Sequence, residues 1–256
     1  MLKTIAICVA VWIAKQHYGF LAVIIKKISG IEAYPSKLIT TFFFHLLFLG
    51  FGGYILNLNN TCLNRDSLTQ QSISKRINVI IQGVGLILLS TLTYGLFLPK
   101  DSIKPTISNN YSSNYQLLTF VFVCISGPLL EEYFFRKNLQ NALKSMLGGL
   151  ASVCLTAFIF AAMHGLSNHL PIIFFSGLIY GFSYQSNPTL IIPFTQHAIV
   201  NCIAFLIGIT NSSSVQQAGH SSTSIWIQAI FFCITAAWFT RFIALTTPPI
   251  GIATRK

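Results

Sequence analysis

Long apolar runs separated by short polar segments dominate the chain. Runs of about 20 mostly apolar residues predict membrane-spanning helices. Eight are read, at roughly 4–25, 37–57, 77–98, 117–135, 147–164, 170–185, 189–209 and 225–245. Lys15, Gln16 and His17 interrupt the first of them. Polar linkers at 58–76 and 99–115 set three N-terminal spans apart from a denser C-terminal group whose connections are only a few residues long. The expected architecture is therefore an all-α, polytopic membrane protein of about eight transmembrane helices. Residues 1–115 hold the N-terminal helices, 116–210 a compact helical core, and 211–256 a last helix and tail. Within the core, Gly148-Gly149 reads as the turn of an antiparallel hairpin. Gly177 and Gly181 read as points of close helix contact, because helices in lipid pack through small residues.

Composition supports this picture. Hydrophobic residues make up 53% of the chain and charged residues 8%, with a mean hydropathy of +0.67, which lies in the membrane range and outside that of soluble domains. The net charge of +11 raises the question of nucleic acid. The basic residues are scattered among loops and form no basic face, so no nucleic-acid partner is expected. Topology explains them better. With a cytoplasmic N-terminus, the inner set is Lys3, Arg65, Lys75, Arg76, Arg136, Lys137, Lys144, Arg255 and Lys256, and the outer set is Lys26, Lys27, Lys37, Lys100 and Lys104. That bias predicts both termini inside a cell membrane. No A-x-A site follows the first apolar run, so no cleaved leader is expected. The six cysteines show no paired spacing and read as small hydrophobes rather than disulfides or a zinc ribbon.

Against this apolar background the ionisable residues stand out, since each costs on the order of 2.5–3.5 kcal/mol to place in a span and usually faces a bundle interior. In the C-terminal half they are Glu131, Glu132, Arg136, His164, His197 and Arg241. Glu132 and Arg136 are four residues apart in the acid-first order that favours a pair on one helical face, which leaves Glu131 free about 100° away. Phe160 with His164, and His197 with Asn201, share helical faces by the same spacing. Glu131 and His164 are equidistant from the turn near Leu147-Gly148, each about 25 Å of helix away, so they lie level on facing helices. His197 lies about 12 Å into its own span and can join them. His17 and His45 read as boundary residues.

A carboxylate, two imidazoles and an amide at one depth are the parts for hydrolysis: a base for water and donors for an oxyanion. They are equally a metal ligand set, with zinc held by Glu131, His164 and His197, although no H-E-x-x-H occurs. Helix glue and a proton- or ion-coupled transporter use the same residue types. A transporter, however, predicts broken spans in corresponding places of two halves, and these are not seen.

Taken together, "EEYFFR" at 131–136, "FAAMH" at 160–164 and "HAIVN" at 197–201 resemble, in order and spacing, the CPBP family of CAAX proteases and bacteriocin-processing enzymes, also called the Abi family. The resemblance covers about 120–210 and says nothing of the first 115 residues. It implies an intramembrane endopeptidase acting on a peptide or protein in or at the lipid bilayer. Glu131 with His164 would activate water, His197 and Asn201 would hold the oxyanion, and Glu132, Arg136 and Phe160 would support them. No cofactor is required in this reading. The family also includes immunity and scaffold proteins that act without cleavage, which is the alternative.

Overall fold

The computed structural model describes residues 72–97, 115–165, 169–211 and 225–246, most of 39–54, and residue 27. All regular structure among these residues is helical. The helices are α1 (Ile39–Phe51), α2 (Ile73–Phe97), α3 (Gln116–Leu147), α4 (Gly149–Met163), α5 (Leu170–Ser186), α6 (Ile191–Asn211) and α7 (Ile225–Thr246). Three of them, α2, α3 and α7, are long and apolar enough to cross a membrane, while the apolar stretches in α1, α4 and α6 are shorter. The protein is thus an all-α membrane protein. The run at 4–25 lies outside the described residues, and the expected count of eight spans is not reached among those described.

The sequence reading ended one span at residue 135 and placed Arg136 in an inner loop. Instead α3 runs on to Leu147, and Arg136 is fully buried within it. The reason is local pairing. Arg136 finds its partner one turn back at Glu132, so the helix carries both charges as a neutral pair and need not end. The chain then reverses at Gly148, whose φ of 83° lies in the left-handed region that glycine enters without strain, and α4 returns along α3.

Helix α5 lies at the centre and packs against α2, α3, α4, α6 and α7. It approaches the α4 backbone closely at Gly177, where an added Cβ would stand 3.1 Å from both Cα and Cβ of Ala157. Polar ties fix the helices where apolar contact alone gives no direction. Gln140 Nε2 donates to the Gly181 carbonyl at 3.0 Å, and Gln196 Nε2 donates to the Val79 carbonyl at 2.9 Å. The outer face of α7 presents Ile227, Ile230, Phe232 and Ile234, as a lipid-facing helix should. Helix α3 is contacted by α1, α4, α5 and α6, which brings three other helices to its acidic turn.

Candidate active site

Two π-helical stretches bracket the acidic turn of α3, Val121–Ser126 before it and Tyr133–Gln140 after it. Wide turns of this kind recur at functional sites because they release backbone groups and re-aim side chains. Pro128 explains the first. The Gly127 N–H bonds to Phe122 rather than to Val123, and the next residue, Pro128, has no N–H to offer. The Val123 carbonyl is thereby left outside the helical ladder. Asn201 of α6 takes it up, donating from Nδ2 at 2.9 Å.

Glu132 points into the bundle. Both Glu132 and Arg136 are 0% exposed, so neither charge meets solvent or lipid. Arg136 Nε donates to Glu132 Oε2 at 2.8 Å, and the His197 ring donates from Nδ1 to Glu132 Oε1 at 2.9 Å. The terminal nitrogens of Arg136 find no hydrogen-bond acceptor among the described residues. The guanidinium carbon instead lies 5.3 Å from the ring centre of Phe160 and 5.9 Å from that of Tyr180, where the π faces offer partial compensation.

Glu131 is the hub of three imidazoles. Its Oε2 lies 3.8 Å from His164 Nε2 and 3.9 Å from His197 Nε2, while its Oε1 is 3.0 Å from His45 Nε2. In all three rings Nδ1 is anchored to an oxygen. His164 donates to the Phe160 carbonyl at 2.8 Å, His45 donates to the Thr41 carbonyl at 2.8 Å, and His197 donates to Glu132. A carbonyl only accepts, so the protons on Nδ1 of His45 and His164 follow from the geometry. Each ring consequently turns Nε2 to Glu131. Phe160 sits 4.5 Å from the His164 ring and 5.8 Å from the His197 ring, centre to centre. Tyr180 stacks on His197 at 4.9 Å with 19° between the planes.

The residues singled out from sequence on three helices are brought together: Glu131, His164 and His197 directly, and Asn201 one turn along α6 from His197. Two expectations need correction. Glu131 is not a free carboxylate, and His45 is not a boundary residue. His45 is buried, 86 residues from Glu131 in the chain, and hydrogen-bonded to it. It was passed over because it lies outside the three motifs, although it stands well inside the apolar run 37–57 and meets the same test of an ionisable group in a span that picked out His197. Tyr180 was also missed. A tyrosine in an apolar helix carries no signal by itself, and only the packing reveals it against His197 and Arg136.

The same geometry tests whether these residues suit zinc. Ligand atoms bound tetrahedrally at about 2.0–2.1 Å stand roughly 3.3 Å apart, whereas the Oε2–Nε2 separations are 3.8 and 3.9 Å. No group of three His, Cys, Asp or Glu among the described residues has the arrangement of a metal site. As placed, the donors do not fit that ion. The separations instead match a gap too wide for a direct hydrogen bond and suited to a bridging water. Of these three residues His164 is the most open, with 28% of its side chain exposed against 12% for Glu131 and 7% for His197, so the gap opens outward beside His164.

Residues 113–203 match the family described as type II CAAX prenyl endopeptidase Rce1-like. The chain is similar to the membrane-embedded CAAX protease MroQ of Staphylococcus aureus (strain USA300), 30% identical over 111 residues. That alignment covers 41% of this chain and 45% of the relative, so the chain spans less than half the length of the curated relative it matches. No solved structure matches. The matched segment holds "EEYFFR", "FAAMH" and "HAIVN" in order, with Glu131, His164 and His197 gathered on one point, and both matches support a likeness of this segment to proteases of the CPBP family.

Proposed function

We propose that the protein is an intramembrane endopeptidase that hydrolyses a peptide bond of a membrane-associated protein or peptide without a metal ion. The observation that carries this reading is the placement of Glu131 Oε2 opposite His164 Nε2 at 3.8 Å, close enough for one water set beside the pair, about 2.8 Å from each, to hydrogen-bond to both the carboxylate and the imidazole lone pair. Glu131 Oε2 takes a proton from that water as its oxygen attacks the substrate carbonyl carbon. His164, anchored through Nδ1 to Phe160, holds the water by the lone pair on Nε2 and fixes its direction of attack.

The carbonyl oxygen becomes an oxyanion, which His197 stabilises by donating from Nε2. That donation requires a proton on each ring nitrogen, and the Glu132 carboxylate at Nδ1 supports the resulting charge. Asn201 spends one amide proton on Val123 and has a second for the oxyanion. The proton held by Glu131 passes to the departing amine, which completes the cleavage. Arg136 holds the other oxygen of Glu132 and so fixes the direction in which that carboxylate meets His197. The active protein would sit in a cell membrane with both termini cytoplasmic.

The test uses full-length protein in proteoliposomes and a quenched-fluorescent peptide with a farnesylated Cys-aliphatic-aliphatic-X tail, alongside its unlipidated counterpart. The expected result is cleavage of at least one by the wild type and loss of about 100-fold or more in Glu131→Gln and in His164→Ala, as removal of a general base predicts. Full activity in purified Glu131→Gln overturns the mechanism. Unchanged phenotype of the Glu131→Gln variant in cells assigns the chain to the binding or immunity role instead.

A further inference from the structure

We infer that His45 is a positioning residue for Glu131, so that the N-terminal part of the chain, outside the family-matched segment, completes the active site. The inference rests on the protease reading for its kinetic consequence and on geometry alone for the contact itself.

The proton count is the core of the argument. His45 Nδ1 carries a hydrogen because it donates to the Thr41 carbonyl. One further proton lies on the 3.0 Å line between His45 Nε2 and Glu131 Oε1, whether the imidazolium donates to the carboxylate or the acid donates to the imidazole. In both forms Oε1 is committed to His45, and the plane of the carboxyl group is set by that bond. Only Oε2 is then presented to the gap between His164 and His197. Without His45 the carboxyl group turns about its last torsion, which is broad and nearly two-fold for glutamate, and the two oxygens become interchangeable.

Helix α1 is seated to keep this contact. The His45 ring meets Phe122 edge-on at 5.2 Å, Phe42 meets the same ring at 6.2 Å, and Gly50 lies against Leu130, the neighbour of Glu131. Phe122 and Leu130 stand on either side of the Pro128 turn, so α1 spans the stretch of α3 that aims Glu131. The π-helical winding of His45–Phe51 begins at the histidine itself.

The experiment compares full-length His45→Ala, His45→Leu and His45→Gln on the same peptide probe, with thermal unfolding of each. Gln is chosen because its Nε2 amide can donate to Oε1 without titrating. The expected result is a fall in kcat of about 10- to 100-fold in the Ala and Leu variants, as sub-ångström misplacement of a catalytic group predicts, with KM within about twofold and recovery by Gln to within a few-fold of wild type. Equal behaviour of all three variants, or a change in KM alone, overturns the positioning role. An activity-free arm separates this from the protease reading: the Tm shifts of His45→Ala and Glu131→Ala, each of which removes the contact, are compared with that of the double variant. Non-additive shifts support the contact, even in a chain that cleaves no peptide, in which case only the protease reading falls. Additive shifts overturn the inference.

Discussion

Asn201 donates its side-chain amide to the main-chain carbonyl of Val123 across 2.9 Å, closing an opening that Pro128 makes in the neighbouring helix. A side chain on one helix thus substitutes for a missing backbone donor on another. The bond also fixes the height of α6, and with it His197, relative to Glu131.

Asn201→Ala should therefore cost stability as well as chemistry. A carbonyl stripped of its donor away from water costs about 1–3 kcal/mol. Pro128→Ala supplies a new N–H to α3, so the double variant Pro128→Ala/Asn201→Ala should recover part of the Tm lost by Asn201→Ala alone. A double variant no more stable than the sum of the two single changes would show that Val123 is satisfied by another route.

The two adjacent glutamates should separate cleanly in a stability assay. Glu132→Ala leaves the fully buried Arg136 guanidinium without its carboxylate and removes the acceptor for His197 Nδ1. Loss of one partner from such a pair costs about 3–5 kcal/mol. Glu131→Gln keeps a hydrogen-bonding group beside His45 and should unfold within a few degrees of wild type while losing cleavage. Thermal unfolding of both variants in one detergent checks this, and equal Tm values would place the Glu132–Arg136 pair in contact with solvent.

That pair was legible in the sequence because an i,i+4 spacing is a local fact, independent of how helices assemble. The level placement of Glu131 and His164 was legible for a related reason: a tight Gly-Gly turn makes two antiparallel helices share one ruler. His45 was not legible as a site residue, because nothing in the chain between residues 45 and 131 fixes how α1 meets α3. The extension of α3 past residue 135 is implied by the same ruler, which needs helix from Glu131 to the turn; the span was nonetheless closed at 135 because Arg136 and Lys137 look like a membrane boundary. The π-helical turns have no simple signature either, although Pro128 next to Gly127 marks where the first one ends.

Metal removal gives a further discriminating outcome. Because the Oε2–Nε2 separations of 3.8 and 3.9 Å are wider than a tetrahedral zinc site needs, cleavage should persist within about twofold after exhaustive treatment with EDTA and 1,10-phenanthroline. Loss of activity with chelator and return with stoichiometric zinc would mean that the three donors close on an ion in the working enzyme.

Helix packing around the site can be probed at Gly177. A Cβ there would sit 3.1 Å from Ala157 Cα and Cβ, and Ala157 is one turn before Ala161 on the helix that ends in His164. Gly177→Ala should cost about 1–3 kcal/mol through overpacking, and Gly177→Val more, read as stepwise lowering of Tm. Unchanged Tm in both would mean that α4 and α5 part without penalty.

Helix α3 is 32 residues long, about 48 Å at roughly 1.5 Å per residue, against a hydrocarbon core of about 30 Å. Glu131 stands near its middle. A rod this much longer than its medium is thick either leans or carries its Lys137–Lys144 end out of the hydrocarbon, and a lean would change with acyl-chain length. The four helices that meet at Glu131 lean with it or slide against it. If α3 leans, bilayer thickness would set the depth of Glu131, and the proposed protease reconstituted in short- and long-chain lipids would present two different cutting depths.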